Sequence, residues 1–324
     1  MRAAYYEANG SAREVLKLDE VPTPAPGPGE VRVRLRASGV NPSDVKTRAG
    51  TARKIAFPRV IPHSDGAGEI EALGPGVGPR TGERVWIWNG QWQRPFGTAA
   101  EYIVVPERQA VKLPGKTPFD EGACLGIPAL TAYHAVMLDG PVSGQTILVA
   151  GGAGGVGHYV VQFAKAKGAT VIATVSSPEK AAHAKAGGAD HTINYREENV
   201  GERIKALTGG RGVDRLIEMD LTANARLIPD VLRPKGTVVI YGTRPEATIP
   251  ASWCLVNQIA LKFFLVYELD WPAREKAIAE VNAMLTAGRL QNKVARTFAL
   301  DDIAAAHEAV ESGTVMGNVV ISLP

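Results

Sequence analysis

The sequence predicts an α/β protein in which a doubly wound parallel sheet is inserted into a β-rich domain formed by both chain ends. Short strand patterns punctuated by glycine fill the first third of the 324 residues, and from about Thr146 apolar runs alternate with helical segments. A closing strand, Asn318–Leu323, follows the last helices and can rejoin the first domain. We therefore expect residues 1–127 and 262–324 to form the outer domain and residues 128–261 the inserted one.

The β-rich part contains one clear alternating strand. Its apolar residues Val31, Val33, Leu35 and Ala37 share one face, and its arginines 32, 34 and 36 share the other. An arginine row can bind an anion, but such a row is more often the solvated outer face of an antiparallel sheet. Further short strands, over 66–70, 83–88 and 100–105, indicate a small barrel or sandwich.

Composition and charge exclude several classes of protein. With 36 Lys and Arg against 33 Asp and Glu, the net charge is +3, which does not favour nucleic acid as the main ligand. The two cysteines, Cys124 and Cys254, fit small buried residues better than a disulfide or metal framework. The most apolar stretch, Ile259–Leu269, contains Lys262 and Glu268 and is shorter than the ~18 residues of a membrane span. Without a signal-peptide pattern either, we expect a cytoplasmic protein.

The inserted domain shows strands and helices in strict alternation, which is typical of a parallel sheet. The predicted strands are Ile147–Ala150, Thr170–Val175, His191–Asn194, Val213–Glu218 and Thr237–Tyr241. The predicted helices between them are Val156–Lys167, Pro178–Ala186, Val200–Thr208 and Ala223–Leu232, and two more, Pro272–Ala287 and Asp301–Glu311, follow the last of these strands.

A glycine-rich turn joins the first of these strands to its helix, in the order Gly152, Gly154, Gly155, Val156 and Gly157. The first glycine permits the tight turn, the second lets the backbone approach a pyrophosphate, and the third lets the helix pack closely on the sheet. The free N–H groups at the helix start then face the phosphates. A strand–helix turn without a ligand is the alternative, and the surrounding strand–helix–strand pattern favours the dinucleotide site.

The residues after the next strand indicate which dinucleotide is bound. Sites selective for NAD place a carboxylate there to bind the ribose 2′-hydroxyl. This chain has Ser176, Ser177 and Lys180 instead, and a hydroxyl with a nearby ammonium suits a 2′-phosphate. Glu179 could compete as a carboxylate, but as an early helix residue it fits the helix dipole. The sequence predicts NADPH.

Several segments together make the chain resemble the zeta-crystallin-type quinone oxidoreductases of the medium-chain dehydrogenase/reductase superfamily. The resemblance covers essentially the whole chain and is carried by residues 40–44, 62–68, 126–133, 151–157, 193–197 and 317–321. It implies a GroES-like catalytic domain, an inserted Rossmann domain, a cleft between them, and the reduction of quinones or related activated carbonyls by NADPH.

The resemblance also implies roles for individual residues. Asn41 and Thr131 would lie near the nicotinamide, and Lys180 and Tyr195 around the adenosine phosphate. Tyr241 and Gly242 would pass near the adenine or ribose, Phe264 and Val266 would meet the carboxamide, and Asn318 would be a further cofactor contact.

Zinc is not expected. The zinc enzymes of this superfamily carry a cysteine near position 38, a His-Glu pair near 64–65 and a four-cysteine loop. This chain has Ser38, Ser64 and Asp65 at those positions and lacks the loop, and His63 is the nearest other candidate ligand.

Two departures from the family pattern concern specificity. The family's substrate-cleft tyrosine is replaced by Lys46, which weakens the inference of a quinone, and a phosphate-binding arginine is missing around Gly313, which weakens the NADPH assignment. We expect Asn41 to donate to the acceptor oxygen and Lys46 to assist as a cation, although both could be structural. Trp92 and Trp88 could line the acceptor pocket, although packing in the core is the slightly favoured explanation of Trp88.

Three further expectations complete the sequence-based prediction. An NADPH-dependent enone or enoyl-thioester reductase is the alternative activity. A non-enzymatic structural or RNA-binding protein is the alternative from another class. A homodimer is expected because the apolar segment Leu261–Tyr267 would be a liability as an unpaired edge.

Overall fold

The computed structural model describes residues 1–324 and contains three sheets with helices around them. The strands are β1 Arg2–Tyr5, β2 Lys17–Glu20, β3 Glu30–Val40, β4 Asp65–Leu73, β5 Arg84–Ile87, β6 Tyr102–Pro106, β7 Ala110–Lys112, β8 Thr146–Val149, β9 Thr170–Val175, β10 His191–Asn194, β11 Val213–Glu218, β12 Leu232–Ile240, β13 Ala260–Phe263, β14 Val294–Ala299 and β15 Asn318–Ser322.

The α-helices are α1 Ala12–Val15, α2 Pro42–Ala49, α3 Phe119–Gly122, α4 Leu130–Met137, α5 Gly155–Ala166, α6 Pro178–Ala186, α7 Val200–Leu207, α8 Leu221–Asn224, α9 Ile228–Val231, α10 Ala251–Val256, α11 Trp271–Thr286 and α12 Ile303–Glu311. A π-helical turn, Leu125–Ala129, precedes α4. Short 3-10 turns are Glu107–Gln109, Ala225–Leu227, Val266–Glu268 and Leu300–Asp302. None of the helices is long and apolar enough to cross a membrane.

The chain divides into two compact units, residues 1–128 with 278–324 and residues 129–277. The first boundary between the units, after residue 128, lies one residue from the predicted boundary after residue 127. The predicted second boundary, at 262, is wrong, because Lys262 lies within β13 and β13 pairs with β12 as the last strand of the second unit's sheet. The chain returns to the first unit only within α11.

The first unit is built on a mainly antiparallel sheet in the order β14-β15-β3-β4-β5-β7, with β6 also paired to β3. The closing strand β15 runs antiparallel to β3, so that Val320 lies opposite Gly39. The predicted alternation in β3 is confirmed, since Val31, Val33 and Leu35 are fully buried. On the other face Arg32 pairs with Glu71 at 2.7 Å, as expected of a solvated surface.

The second unit is the doubly wound domain, and its six-stranded parallel sheet has the order β10-β9-β8-β11-β12-β13. The order reverses at β8, which lies between β9 and β11. In open α/β sheets, ligands bind outside the carboxyl ends of the strands at such a reversal point. The glycine-rich turn follows β8 directly, so the topology places it at the expected ligand site.

One predicted helix is interrupted. Residues Ala223–Leu232 form α8, a 3-10 turn and α9 in succession rather than a continuous helix. Pro229 lies within this stretch, and proline has no N–H to donate to the preceding turn, so the helix is broken and restarted there. The strand that follows begins at Leu232, five residues before its predicted start at Thr237.

Candidate active site

The glycine-rich turn is held in place by the strand beside it. The Gly151 N–H donates to the Thr174 hydroxyl at 3.0 Å, and the Gly152 N–H donates to the Thr174 carbonyl at 3.1 Å. Gly151 has a φ of +65°, a conformation that favours glycine. Helix α5 then begins at Gly155, so the N–H groups of Gly155, Val156 and Gly157 belong to its first turn and point away from the helix.

The three signature glycines meet different neighbours. A Cβ added to Gly157 would lie 2.2 Å from the Gly151 carbonyl oxygen, and one added to Gly152 would lie 2.6 Å from the Ala173 Cβ. A Cβ on Gly154 would have no neighbour closer than 3.4 Å. Protein packing therefore explains Gly152 and Gly157 but not Gly154, which is the glycine that a pyrophosphate would approach.

The residues predicted to select the cofactor follow the neighbouring strands of the same sheet. Ser176 is buried at the end of β9, and the Ser177 hydroxyl caps α6 by accepting from the Lys180 N–H at 3.3 Å. The Lys180 side chain is half-exposed and forms no ion pair. Tyr195, just after β10, is exposed.

Glu179 is the one carboxylate that could compete at this position. Its pKa is lowered by a hydrogen bond from the Ser177 side chain at the start of α6. This fits the predicted role of Glu179 at the helix dipole.

A cavity of about 300 Å³ opens beside the glycine-rich turn at the carboxyl ends of β8, β9 and β11. Gly151, Thr174 and Tyr195 line one part, and Glu218, Met219 and Asp220 line another. The acidic residues were not predicted as site residues. Glu218 ends a predicted strand, and a residue at the carboxyl end of the strand next to the reversal point is the signal that could have identified it.

Glu218 is almost fully buried, and burial raises the pKa of its carboxyl. It accepts hydrogen bonds from the Asp220 N–H at 2.6 Å and the Asn224 side-chain amide at 3.0 Å. These bonds fix the loop after β11 as one wall of the cavity.

The other predicted cofactor residues of the second unit lie on α4 and after β12 and β13. Thr131 is buried in the first turn of α4, and α4 contacts the 3-10 turn that contains Val266. The Phe264 N–H donates to the Ile240 carbonyl at 3.2 Å, and its ring lies 6.5 Å from that of Tyr241. Gly242 follows Tyr241 at the end of β12.

Asn41 lies in the first unit as the N-cap residue of α2, between two buried carboxyl groups. Its side-chain amide donates to Asp65 Oδ2 at 2.9 Å, and its backbone N–H donates to Asp44 Oδ2 at 2.8 Å. Burial raises the pKa of Asp44 to about 7 and raises that of Asp65 well above its usual value. The polar surroundings of Asn41 are thus carboxyl groups that hold their protons more tightly than usual.

Lys46 and the tryptophans differ in exposure. Lys46 is exposed on α2. Trp86 is fully buried and Trp88 nearly so, with the Trp88 indole N–H donating to the Arg108 carbonyl at 3.2 Å. Burial favours a packing role for Trp88. Trp92 is half-buried, and its ring lies 4.1 Å from the guanidinium carbon of Arg53.

Asn318, the last predicted cofactor residue, lies in the first unit at the start of β15. Its side-chain amide donates to the Asn292 side-chain oxygen at 2.8 Å, and its N–H donates to the Lys293 carbonyl. These contacts give Asn318 a structural role in joining β15 to the segment before β14.

The residues at the zinc-ligand positions form a buried hydrogen-bond chain. Ser38 Oγ lies 2.8 Å from His63 Nδ1 and 2.7 Å from Thr98 Oγ1, and His63 Nε2 lies 2.9 Å from His307 Nε2. The Thr98 hydroxyl donates to the Asp65 carbonyl, so it must accept from Ser38. Ser38 then accepts from His63 Nδ1–H, and His63 Nε2 accepts from His307.

The residues of this hydrogen-bond chain are a poor ligand set for a catalytic zinc ion. Both nitrogens of His63 are engaged, Ser38 and Ser64 offer hydroxyls, and Asp65 already accepts from Asn41. Burial lowers the pKa of His63 to about 3, so its ring is neutral within the hydrogen-bond chain. No group of three or more His, Cys, Asp or Glu residues that could hold a metal ion is present in residues 1–324.

Comparisons with known proteins match two family models to this sequence. The family described as "Alcohol dehydrogenase GroES-like domain" matches residues 27–115, and the family described as "Zinc-binding dehydrogenase" matches residues 155–283. Human quinone oxidoreductase is 31% identical over 96% of this chain and 94% of its own. A 2-haloacrylate reductase from Burkholderia is 32% identical over 88% of each.

Solved structures are similar over the whole chain. An NAD-dependent alcohol dehydrogenase matches with a TM-score of 0.91 at 30% identity, covering 100% of both chains. A mycobacterial protein solved in complex with NADPH matches with a TM-score of 0.89 at 28% identity, also covering 100% of both chains.

Proposed function

This chain belongs to the quinone oxidoreductases of the medium-chain dehydrogenase/reductase superfamily, and from that premise we propose that it reduces a quinone or related activated carbonyl with NADPH. The single observation that carries the proposal is the glycine-rich turn, where Gly151 lines a cavity of about 300 Å³ and a Cβ on Gly154 would meet no atom closer than 3.4 Å. The bound NADPH would supply a hydride, and the protein would supply orientation and hydrogen bonds.

The preference for NADPH over NADH rests on the residues after β9. Ser176 and Lys180 offer a hydroxyl and an ammonium, and Glu179, the nearby carboxylate, is engaged at the start of α6. Replacing Lys180 by glutamine is expected to lower the ratio of kcat/KM for NADPH to that for NADH about tenfold, since one charged contact with phosphate is lost. An unchanged ratio would exclude Lys180 as a 2′-phosphate ligand.

The acceptor is proposed to contact residues of the first unit. Asn41 is held by Asp65 and Asp44, and a fixed amide is suited to orienting an acceptor oxygen. Lys46 and Trp92 are the further proposed contacts. The test is steady-state reduction of a quinone by NADPH, with loss of kcat/KM on replacement of Asn41 by alanine.

Reduction of a conjugated alkene is the second candidate activity, and the Burkholderia 2-haloacrylate reductase favours it, since a haloacrylate is an alkene carboxylate. The two activities are distinguished by comparing a quinone with an enone under the same NADPH concentration. A kcat/KM for the enone well above that for the quinone would make alkene reduction the main activity.

We propose that catalysis is independent of zinc, because the hydroxyls of Ser38 and Ser64 and the engaged ring of His63 are a poor ligand set. Activity unaffected by exhaustive treatment with a chelator would support this. Restoration of lost activity by added zinc would contradict it.

A homodimer formed through β13 and a cytoplasmic location complete the proposal. β13 is an edge strand, and Phe263 and Leu265, in and just after it, have 59% and 49% of their surfaces exposed. An unpaired apolar edge favours association with a second copy. Light scattering of the Phe263→Lys variant is expected to show a monomer, and fractionation of cells tests the location.

A further inference from the structure

A basic segment of the first unit follows the site around Asn41. Residues 45–64 contain no aspartate or glutamate. They contain five basic residues, which are Lys46, Arg48, Arg53, Lys54 and Arg59. The segment therefore carries a local charge of +5 in a chain whose total charge is only +3.

Carboxylates elsewhere in the unit pair with Arg48 and Arg59. Arg48 is buried and pairs with Glu311, and Arg59 pairs with Glu7 at 2.8 Å. Lys46 and Lys54 are exposed and form no ion pair. Positive charge therefore remains at the end of α2 and in the loop after it.

Arg53 is exposed and stacks on a neighbouring aromatic ring. Its guanidinium carbon lies 4.1 Å from the centre of the Trp92 ring, and its Nη2 lies 3.4 Å from the Thr47 hydroxyl on α2. Stacking on an indole holds a guanidinium in a defined plane. The loop after α2 is thus joined to the Trp92 loop by a cation–π contact.

Arg53 also acts on the groups around Asn41. Its charge opposes the effect of burial on the pKa values of both Asp44 and Tyr6. Asp44 is the carboxyl that accepts from the Asn41 backbone N–H. The positive field of Arg53 therefore extends to the proposed acceptor contact.

We propose that the acceptor carries an anionic group, such as a carboxylate, bound by Arg53 and Lys46 beside the Trp92 ring. The proposal rests on the function proposed above and specifies its substrate class. Lys46 adds an ammonium on the same segment, and the planar guanidinium of Arg53 matches a carboxylate better than any neutral side chain does.

The acceptor gains a hydride from NADPH and a proton from water, NADPH leaves as NADP⁺, and the anionic group is unchanged. An enoyl thioester of coenzyme A would also bring negative charge. Its long pantetheine arm separates the phosphates from the reacting carbons, whereas Arg53 acts on the carboxyl group next to Asn41. A small acceptor with its own carboxylate therefore fits better.

The test compares a carboxylated naphthoquinone with its methyl ester, using NADPH and purified full-length protein. The acid-to-ester ratio of kcat/KM is measured for the wild type, Arg53→Gln, Lys46→Gln and the control Lys116→Gln. Lys116 is an exposed lysine of another loop in the same unit, so the control removes the same charge. Comparing ratios between proteins cancels the intrinsic difference in reactivity between acid and ester.

We expect Arg53→Gln to lower the acid-to-ester ratio about tenfold through KM for the acid, with Lys46→Gln smaller and Lys116→Gln unchanged. The KM for NADPH and the melting temperature should not change, and raised salt should lower the wild-type ratio. An equal ratio in all four proteins would overturn the proposal.

Two other outcomes would assign the charges elsewhere and equally overturn it. A raised KM for NADPH in Arg53→Gln would show that the cations serve the cofactor phosphates. If Arg53→Gln lowered kcat/KM for crotonyl-coenzyme A but not for the short crotonyl thioester of N-acetylcysteamine, the positive charges would be assigned to binding coenzyme A. Absence of NADPH oxidation with every acceptor would instead refute the proposed function itself, and this proposal with it.

Discussion

The two units organise their polar groups in opposite ways. In the second unit the candidate cofactor site uses backbone N–H groups that consecutive residues supply, from Gly155 to Gly157 at the start of α5. In the first unit the polar chain joins Ser38, His63, Thr98 and His307, which are distant in sequence and all buried. A backbone site is therefore encoded locally, whereas a buried side-chain network depends on the folded sheet.

The largest effect is expected in the backbone site, from Gly157→Ala. The added Cβ would lie 2.2 Å from the Gly151 carbonyl oxygen, so the turn must open. We expect NADPH binding to weaken by about 100-fold or more, or ~3 kcal/mol, together with a lower melting temperature. Fluorescence titration and calorimetry measure the two quantities.

Gly154→Ala is the matched variant, because its Cβ would meet no protein atom closer than 3.4 Å. It should keep the wild-type melting temperature and weaken NADPH binding about tenfold, since only the approach of the pyrophosphate is obstructed. Gly115→Ala, where a Cβ would meet open space, is the control. If Gly154→Ala and Gly157→Ala lost the same stability, the two glycines could not be distinguished as one required for packing and one required for the approach of the ligand.

The next largest effect is expected from Asp44→Asn, which removes one of the buried carboxyl groups of the first unit and changes how stability depends on pH. Burial raises the pKa of Asp44 to about 7 in the folded state, above its usual 3.8. The folded protein therefore binds more protons than the unfolded chain between those values, and its stability falls as the pH rises through this range.

Asparagine cannot titrate, so the free energy of unfolding of Asp44→Asn should rise relative to the wild type between pH 4 and pH 8. The expected gain is on the order of 3 kcal/mol. Denaturant unfolding of both proteins at several pH values measures this gain. A difference in free energy of unfolding that is the same at every pH would report only a change in packing. A difference that does not vary with pH would contradict the assignment of a raised pKa.

A smaller effect is expected from breaking the histidine chain with His307→Leu. The variant leaves His63 Nε2 without its donor, and a buried acceptor without a partner costs about 1–2 kcal/mol. Unfolding measured by urea should show this loss, and His307→Gln, which can still donate, should recover part of it. Equal losses in both variants would assign the effect to packing rather than to the hydrogen bond.

The smallest effect is expected on the outer face of β3. Arg34 is exposed, while its neighbours Arg32 and Arg36 pair with Glu71 and Glu69. Arg34→Gln should change the free energy of unfolding by less than about 0.5 kcal/mol, as is usual for surface positions. A larger loss would mean that the arginine row does more than solvate the sheet.

The sequence predicted the second unit more completely than the first. β9, β10 and β11 begin and end at the predicted residues, because apolar runs between glycine turns suffice to specify a buried parallel strand. The boundary at 262 was wrong because the pairing of β13 with β12 is a long-range contact that no local pattern records. Glu218 was missed since a carboxylate at a strand end has no distinctive spacing.

The first unit shows where local patterns fail. His63 was considered only as a metal ligand, yet it accepts from His307, 244 residues later. The φ of His63 is +76°, so the alternation of side chains that a strand would impose does not apply there. Only the folded sheet, with α12 packed beside β3, brings the two rings together.

The direction of that hydrogen-bond chain has a consequence for observing the protein. His307 and His63 each carry one ring N–H that is fully enclosed, and both rings stay neutral because burial lowers their pKa values. Such protons exchange with solvent only when the surrounding structure opens. Their nuclear magnetic resonance signals would therefore persist in water and disappear when residues 1–128 and 278–324 unfold. The rate at which these two signals exchange would then report how often this unit opens.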